Sequence, residues 1–201
     1  MSQNLLLLDG HSLAYRAFHA LPVENFTTSS GQPTNALYGF TSMLLNLLRD
    51  INPSHVAVAF DVSRKTFRTE KFPEYKATRS KTPDEFRSQM DLLHEIIEAL
   101  GITHIEREGY EADDVIATLA VMGAQRGIPM IISSLDKDLM QLVEDPLVKM
   151  VNTMNNKVYD VAGVQEKFGV HPDQIIDYLA LVGDTSDNIP GVPKVGPKTA
   201  V

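Results

Sequence analysis

The sequence lacks cysteine in all of its 201 residues. This absence excludes disulfide bonds and thiolate metal sites, and it fits a reducing compartment. Long apolar runs are also missing, since no stretch approaches the roughly 18 residues of a membrane-spanning helix. The stretch LLLL at residues 5–8 has no basic region before it and runs directly into Asp9. We therefore predict no signal peptide, no membrane span and no membrane partner.

Basic residues are outnumbered by acidic ones, 18 to 26, and the formal net charge is −8. Such a balance argues against a nucleic-acid partner. Segment 62–82 is an exception, because seven Lys or Arg face two Glu there, with Phe67, Phe72 and Tyr75 between them. Lys and Arg bind phosphate backbones, and aromatic rings stack on unpaired bases. We predict that this segment, the basic loop, is irregular and clamps nucleic acid; the alternative is a solvated mobile loop.

Short apolar runs alternate with helical patterns along the first three quarters of the chain. The runs at 5–8, 56–60, 102–105 and 130–133 predict buried strands, and the spacing of apolar residues predicts helices over 35–49, 82–100 and 113–126. The helix at 82–100 carries the clearest start signal, a Thr82–Glu85 capping box with Pro83 at the first helical position. This alternation predicts an α/β fold with a mainly parallel central sheet flanked by helices.

The pattern changes after residue 158. Helical stretches at 161–168 and 172–181 are followed by GDTSDNIPGVPKVGP, which is rich in Gly and Pro. We predict an α/β core over residues 1–158 and a smaller helical region over residues 159–201.

Carboxylates follow the predicted strands at the point where each one ends. Asp9 follows the first strand, Asp61 the second, and Asp136 the fourth, with Asp138 two residues later. The carboxyl ends of parallel strands share one edge of a sheet, so these acids should meet there. The stretch EADD at 111–114 opens a helix and adds three more; acids in a first helical turn also stabilise the helix dipole, which is the alternative explanation. The site would also gain Asp184 and Asp187 if the helical region packs nearby.

Several carboxylates at one edge predict a cation site. Hard oxygen ligands without Cys or paired His favour Mg²⁺ or Mn²⁺ over Zn²⁺. Two such ions about 4 Å apart are a common device for in-line attack on phosphodiesters.

The stretch GVPKVGPKTAV at 191–201 nearly matches the nucleotide-binding pattern GxxxxGK[ST]. Pro197 separates Gly196 from Lys198, and no strand precedes the stretch, so we reject nucleotide binding. Two glycine turns leading into a helix can instead offer N–H groups to a phosphate. The alternative is a plain Gly/Pro turn.

These motifs together resemble a known family. In order, LLLLDGHSLAYRAFHA, VAFD, FPEYKATR, YEADDVIATLA, DKDLMQLV and GDTSDNIPGVPKVGPKTA resemble the 5′→3′ exonuclease domain of bacterial DNA polymerase I, within the flap endonuclease superfamily. The resemblance covers essentially the whole chain. It implies a PIN-like 5′ nuclease fold with a helix–hairpin–helix-type region, and two or more Mg²⁺ or Mn²⁺ ions.

The resemblance also implies a function in DNA replication and repair. The expected activity is that of a 5′→3′ exonuclease and flap endonuclease, which removes flaps and RNA primers. Its substrates would be DNA with a 5′ flap, nick or single-stranded 5′ end, and RNA primers on DNA. The protein would be a monomer in the bacterial cytoplasm, associated with the nucleoid, with a polymerase domain in the full-length protein.

The resemblance also implies functional residues, at the positions where this sequence matches the family's motifs. The ion nearer the attacking water would be bound by Asp9, Asp61, Glu111 and Asp113, and the second ion by Asp136, Asp138, Asp184 and Asp187, with Asp114 between the two groups. Lys76, Arg79 and Asp114 are the expected catalytic residues. The basic loop would form an arch over the site, in which Lys76 stabilises charge on the scissile phosphate and Tyr75 stacks on a base.

Contacts to nucleic acid are expected along the first helix, the arch and the glycine-rich stretch. The glycine-rich stretch would grip duplex phosphates, with K⁺ as a cation there. The expected residues are Arg16, Arg68, Lys71, Tyr75, Lys76, Arg79, Gly191, Gly196, Lys198 and Thr199.

Two departures from the family pattern bear on these expectations. Leu135 stands before Asp136, where the family has glycine, and it would be strained and displace Asp136 if that position needs a positive φ. The sequence stops at Val201, inside the expected second helix of the hairpin, so we expect a fragment with weakened duplex binding.

Three other functions remain open. A module that binds branched DNA without cutting it would follow if either departure spoils the geometry. A PIN-like ribonuclease shares the carboxylate-edged core but usually has fewer acids. A haloacid-dehalogenase-type phosphatase needs Asp-x-Asp after the first strand, and the sequence there is Asp9-Gly10-His11.

Overall fold

The structure is a computed structural model that describes residues 3–153 and 157–201. Its centre is a six-stranded sheet in the order β3-β2-β1-β4-β5-β6, in which the first five strands are parallel and β6 is antiparallel. The strands are β1 (Leu5–Asp9), β2 (His55–Phe60), β3 (Thr103–Glu106), β4 (Met130–Ser133), β5 (Val148–Asn152) and β6 (Lys157–Tyr159). The predicted α/β class and its four strands are confirmed, whereas β5 and β6 were not predicted.

Helices cover both faces of the sheet. They are α1 (Gly10–Ala20), α2 (Asn35–Ile51), α3 (Phe67–Lys71), α4 (Asp84–Arg87), α5 (Met90–Ala99), α6 (Ala112–Gln125), α7 (Val161–Phe168) and α8 (Ile175–Val182), with 3₁₀ turns at Val23–Asn25, Lys137–Leu142 and Pro172–Gln174. Among the described residues, no helix combines the length and the apolar character needed to cross a membrane.

Side chains alternate between two hydrophobic cores, because successive residues of a strand point to opposite faces. Leu7 joins Ile116 of α6 on one face, and Leu6 and Leu8 join Phe40 of α2 on the other. All three leucines are at most 1% exposed. Burial of both faces explains why the first strand reads as LLLL rather than as an alternating pattern.

The predicted helix at 82–100 is wrong in its continuity and its start. It consists of α4 and α5, separated at Ser88 and Gln89, and Pro83 rather than Thr82 is the residue before α4. The Gln89 side chain is buried, and its Oε1 accepts the N–H of Ala36 at 2.9 Å, at the start of α2. This long-range cap, which satisfies free N–H groups of another helix, is absent from any local pattern.

The basic loop is more regular than predicted. It contains α3, whose start is stabilised by reciprocal hydrogen bonds between Thr66 and Thr69, followed by turns through residue 79. At its base, Arg64 Nη2 donates to the Ser80 carbonyl at 2.8 Å and to Thr82 Oγ1 at 3.2 Å. These bonds close the two ends of the loop onto each other.

The chain ends in short hairpin and turn structure. Strands β7 (Gly183–Asp184) and β8 (Ile189–Pro190) pair antiparallel. Residues 191–201 form turns, in which Thr199 N–H donates to the Gly196 carbonyl at 2.9 Å.

Candidate metal centre

Carboxylates meet at the edge of the sheet where the parallel strands end. Asp9 is the last residue of β1, Asp61 directly follows β2, and Asp136 begins the segment after β4. Asp61 Oδ1 accepts the N–H of Ala112 at 2.7 Å, which joins the end of β2 to the start of α6. Asp113 in the first turn of α6 is thereby brought to the same edge. We call Asp9, Asp61, Asp113 and Asp136 the first acid group.

Electrostatics show that the four acids of this group interact. The pKa of Asp9 is raised to about 6, mainly by burial and also by the charges of Asp61 and Asp136, against the opposing hydrogen bonds from Ser12 and Ser134. Burial also raises the pKa of Asp113 well above its usual value, with the charges of Asp9, Asp136 and Asp61 acting in the same direction. Like charges held this close favour a bound cation.

One oxygen of this group is buried without a partner. Asp113 Oδ1 has no hydrogen-bond partner in the described part of the chain. An unsatisfied buried carboxylate oxygen is costly, and a cation ligand removes that cost. The first acid group therefore fits a divalent metal ion.

Ser134 positions two members of the first acid group and was not predicted. Its hydroxyl donates to Asp9 Oδ2 at 3.1 Å and accepts the N–H of Asp136 at 3.0 Å. Leu135, between Ser134 and Asp136, does not have a positive φ. The backbone strain predicted before Asp136 is therefore wrong. In the sequence, a role for Ser134 could have been inferred only from its position between the strand at 130–133 and Asp136.

A second acid group lies beside the first and consists of Asp138, Asp184 and Asp187. One carboxylate oxygen from each lies within 4.8 Å of the others. Burial raises the pKa of Asp138, and the charge of Asp136 adds to this effect. Because Asp136 also acts on Asp9, it connects the two groups. Three hard oxygens at this separation fit Mg²⁺ or Mn²⁺.

Lys137 balances the second acid group and was not predicted. Its Nζ lies 2.7 Å from Asp184 Oδ2 and 3.2 Å from Asp138 Oδ1. Burial acts to raise the pKa of Asp184, but the hydrogen bonds from Lys137 and Ser186 and the charge of Lys137 together outweigh it, and the pKa is lowered. Its position between Asp136 and Asp138 in the sequence could have indicated this role.

The basic loop is folded onto the remaining acids. Arg68 binds Asp114 through two parallel bonds, Nη1 to Oδ2 at 2.6 Å and Nη2 to Oδ1 at 2.7 Å. Lys76 Nζ lies 3.0 Å from Glu111 Oε1, and a second Glu111 oxygen is equally close. Cations of the loop therefore occupy carboxylates that were predicted as metal ligands.

Tyr75 and Arg79 fasten the loop to Asp187. Arg79 Nη2 lies 2.6 Å from Asp187 Oδ1. The Tyr75 hydroxyl lies 3.0 Å from Asp187 Oδ2 and 3.0 Å from Glu111 Oε2. The Tyr75 side chain is buried, at 9% exposure, so in this conformation its ring is not available to stack on a base.

Asp114 is paired rather than repelled. Burial acts to raise its pKa, but the hydrogen bonds from Arg68 and the Glu111 N–H, together with the charges of Arg68 and Lys76, lower it overall. Its Oδ2 also accepts the N–H of Glu111 at 3.0 Å, which caps α6. Asp114 thus connects the start of α6 to Arg68 of the basic loop.

The other predicted nucleic-acid residues lie on several elements. Arg16 of α1 donates to Thr153 Oγ1 at 3.3 Å, and Lys71 Nζ lies 5.8 Å from the centre of the Phe67 ring. A Cβ on Gly191 would meet the Val182 carbonyl at 2.4 Å, whereas one on Gly196 would meet nothing within 4 Å. Lys198 and Thr199 are exposed.

Comparisons with known proteins agree with this geometry. A family model described as 5′-3′ exonuclease, N-terminal resolvase-like domain, matches residues 4–169, and one described as 5′-3′ exonuclease, C-terminal SAM fold, matches residues 170–201. The sequence is 53% identical over 201 residues to DNA polymerase I of Mycobacterium bovis, covering 98% of this chain and 22% of that protein. It is 47% identical over 199 residues to a 5′-3′ exonuclease of Aquifex aeolicus, covering 99% and 68%.

A solved structure shares the fold. T5 5′-exonuclease with bound divalent zinc ions has 25% identity and a TM-score of 0.78, covering 98% of this chain and 73% of that one. The fold class predicted from the sequence is confirmed. The chain spans about a fifth of the length of the DNA polymerase I relatives that it matches.

Proposed function

The chain belongs to the 5′-3′ exonuclease family, and from this premise we propose that it is a metal-dependent 5′→3′ exodeoxyribonuclease and flap endonuclease. The observation that carries the proposal is the meeting of Asp9, Asp61, Asp113 and Asp136 at one edge of the sheet. Ser134 contacts Asp9 and Asp136 there, and Asp61 accepts the N–H of the residue before Asp113. Residues that lie far apart in the sequence meet there, as a site for phosphodiester hydrolysis requires.

The cofactors proposed are two or more Mg²⁺ or Mn²⁺ ions. The first acid group and Glu111 would hold one ion, and Asp136 with the second acid group would hold another. When bound, such ions activate water and neutralise charge that develops on the phosphate. We further propose K⁺ at the glycine-rich stretch that contains Gly191, Gly196, Lys198 and Thr199.

The protein's own groups would prepare the site and bind the phosphate. The Ser134 hydroxyl holds the Asp9 carboxylate in a fixed orientation through its donated hydrogen bond. Lys76 and Arg79 now bind Glu111 and Asp187, and they would transfer to the oxygens of a scissile phosphate. Arg68 would remain on Asp114 and keep the start of α6 in place.

We propose that bases stack on an exposed aromatic pair rather than on Tyr75, the residue predicted from the sequence. Phe67 and Tyr110 lie with ring centres 5.7 Å apart and are 36% and 47% exposed. Arg68 lies 4.6 Å from the centre of the Phe67 ring. An exposed aromatic pair beside cations is the arrangement that binds unpaired bases.

The proposed substrates are DNA with a 5′ flap, nick or single-stranded 5′ end, and RNA primers on DNA. Relatives named DNA polymerase I support DNA as the partner and a polymerase domain in a full-length protein. We propose a monomer in the bacterial cytoplasm, associated with the nucleoid, that acts in replication and repair. We also propose a nuclease core over residues 1–158 and a duplex-binding region over residues 159–201; the sheet's last strand ends at Tyr159, close to that boundary.

The test uses a duplex with a 5′-labelled flap. With Mg²⁺ or Mn²⁺, we expect a short labelled 5′ product, and with EDTA we expect none. Asp113→Asn should bind the flap but release at least about 100-fold less product, because it alters a ligand of the proposed ion. Binding by the unaltered protein without cleavage in either metal would instead identify the non-cleaving DNA-binding module.

A further inference from the structure

A second concave site lies next to the candidate metal centre. It has a volume of about 380 Å³ and is lined by His11, Arg64, Lys81, Phe86 and Arg87 among others. Phe86 is fully buried and forms the floor, with the His11 ring 5.4 Å from it in an edge-on contact. We call this site the basic pocket. Its volume suits a ligand the size of a nucleotide.

The walls of the basic pocket carry an excess of positive charge. Lys81 and Arg87 are 75% and 51% exposed at their side chains. Both approach one acid, Asp84, at 3.9 and 3.4 Å, and that acid is 79% exposed. Arg64 uses one of its nitrogens on Ser80 and Thr82, which leaves further guanidinium donors. Three cations against one exposed acid predict an anionic ligand.

The basic pocket lies between the first acid group and the base of the basic loop, where a bound DNA strand would pass. His11 follows Asp9 by two residues and lies within electrostatic reach of Asp61 and Arg79. Arg64 and Lys81 come from opposite ends of the basic loop, so the pocket lies at the base of that loop. A strand that leaves the metal centre beneath the loop would pass this pocket next.

We propose that the basic pocket binds a phosphate of the single-stranded 5′ arm of a DNA substrate, through Arg64, Lys81 and Arg87. This inference rests on the proposed nuclease function. The phosphate is either an internal phosphodiester or a 5′-terminal monophosphate, and both offer oxygens to the same cations.

The test measures affinity for flap DNA in EDTA by fluorescence anisotropy, so that no cleavage intervenes. A set of flaps carries a neutral methylphosphonate at one arm position at a time, and a further pair differs only in a 5′-phosphate or 5′-hydroxyl. For the unaltered protein, we expect one of these changes to weaken binding by about fivefold, the effect of one exposed ionic contact. The position of that change identifies the phosphate that is bound.

Variants assign the effect to the pocket. Lys81→Gln with Arg87→Gln should weaken binding by about the same factor and abolish sensitivity to the neutral position. Asp84→Asn frees both cations and should tighten binding by about two- to threefold. The matched control is Arg49→Gln with Arg126→Gln, because both cations are exposed. Arg49 precedes β2 and Arg126 precedes β4, so both lie near the amino ends of the strands, at the edge of the sheet opposite the acids.

The outcomes separate the two proposals. Cleavage in Mg²⁺ without sensitivity to any neutral arm position overturns the basic pocket and leaves the nuclease function standing. Sensitivity that persists in the double variant, or a control that weakens binding equally, also overturns the pocket. Failure of the unaltered protein to bind flap DNA in EDTA, together with cleavage in Mg²⁺, overturns the pocket alone. Failure both to bind in EDTA and to cleave in Mg²⁺ overturns both proposals. Thermal melting of each variant verifies that it is folded.

Discussion

At the scale of single residues, Asp113 is the side chain whose environment is hardest to explain without a cation. Its Oδ1 is buried and has no partner within residues 3–153 and 157–201, and burial raises its pKa well above the usual value. An ordinary first-turn acid of a helix is exposed and stabilised by the helix dipole. We therefore expect the Asp113 carboxylate to lower the stability of the metal-free protein at neutral pH, as functional carboxylates often do.

We predict that Asp113→Asn stabilises the metal-free protein at pH 8 by roughly 2–6 °C. A carboxyl whose pKa is higher in the folded than in the unfolded state loses stability as the pH rises from about 4 through the folded pKa. The amide does not titrate, so the advantage of the variant should vanish near pH 4. Thermal melting in EDTA between pH 4 and 8 measures this; a variant that melts lower at pH 8 would contradict it.

Asp114 behaves in the opposite way. The two bonds from Arg68 show that Asp114 is a paired charge. We predict that Asp114→Ala lowers the free energy of unfolding by about 1–3 kcal/mol, because Arg68 is left unpaired and α6 loses a cap. Urea denaturation measures it. Asp50→Ala, which removes an exposed pair with Arg49, should change stability by less than about 0.5 kcal/mol.

At the scale of elements, the start of α1 depends on a close approach to β2. A Cβ on Gly10 would lie 2.4 Å from the Phe60 ring and 2.7 Å from Val58. Both of those side chains are at most 1% exposed, so they have little room to move. The helix therefore approaches the sheet closely enough for Asp9 to reach the metal centre.

We predict that Gly10→Ala lowers the free energy of unfolding by about 1–3 kcal/mol through overpacking. It should also weaken Mn²⁺ binding in calorimetry, since α1 must shift next to Asp9. The control is Gly196→Ala, whose new methyl would meet nothing within 4 Å. Equal stability of the two variants would show that the contact between α1 and β2 is easily relaxed.

The basic loop occupies carboxylates that are proposed to bind divalent ions. Lys76 and Arg79 bind Glu111 and Asp187, and Lys76 holds a left-handed backbone with φ of 55° to do so. We predict that millimolar Mn²⁺ speeds amide hydrogen exchange about tenfold within residues 72–80, because a metal ion displaces the two cations. Arg79→Gln should raise exchange there already in EDTA. Exchange that is unchanged or slower in Mn²⁺ would argue against competition.

Sequence patterns predicted the elements that are encoded locally. Strands that end in Asp, such as β1 and β2, could be recognised because burial on both faces and a terminal acid are visible in one short window. Strand β5 could not, since Lys149 interrupts its apolar run. The break at Gln89 and the bonds from Tyr75 to Glu111 and Asp187 were also missed. These features join distant residues, and single-sequence periodicity carries no information about such contacts.

At the scale of the whole molecule, the negative charge of the chain is concentrated where cations are expected to bind. Nine carboxylates were predicted for the site, and the structure brings them to one edge of the sheet and the segment beside it. Binding to the folded state alone stabilises that state by mass action. The net charge of −8 is therefore compatible with the proposed nucleic-acid partner, because metal ions at the proposed sites and the basic loop would provide local positive charge.

We predict that Mn²⁺ at 100 times its dissociation constant raises the melting temperature by roughly 5–11 °C, from about 2.7 kcal/mol of binding linkage. NaCl at equal ionic strength controls for screening of like charges. The double variant Asp138→Asn with Asp184→Asn should lose about half of the shift or more, since it removes two oxygens of the second acid group. A shift that NaCl reproduces would rule out specific binding.

Gly183 and Gly191 lie at a close backbone contact, which limits the substitutions that the candidate metal centre can accept. A methyl on Gly183 would collide with the backbone of Gly191 at 2.4 Å, and one on Gly191 with the backbone of Val182 at the same distance. Because backbone atoms cannot rotate aside, neither position tolerates another amino acid without reshaping the hairpin that carries Asp184 and Asp187. Tuning of metal preference in this protein should therefore arise from side chains that surround these two acids, while the spacing between the acids themselves stays constant.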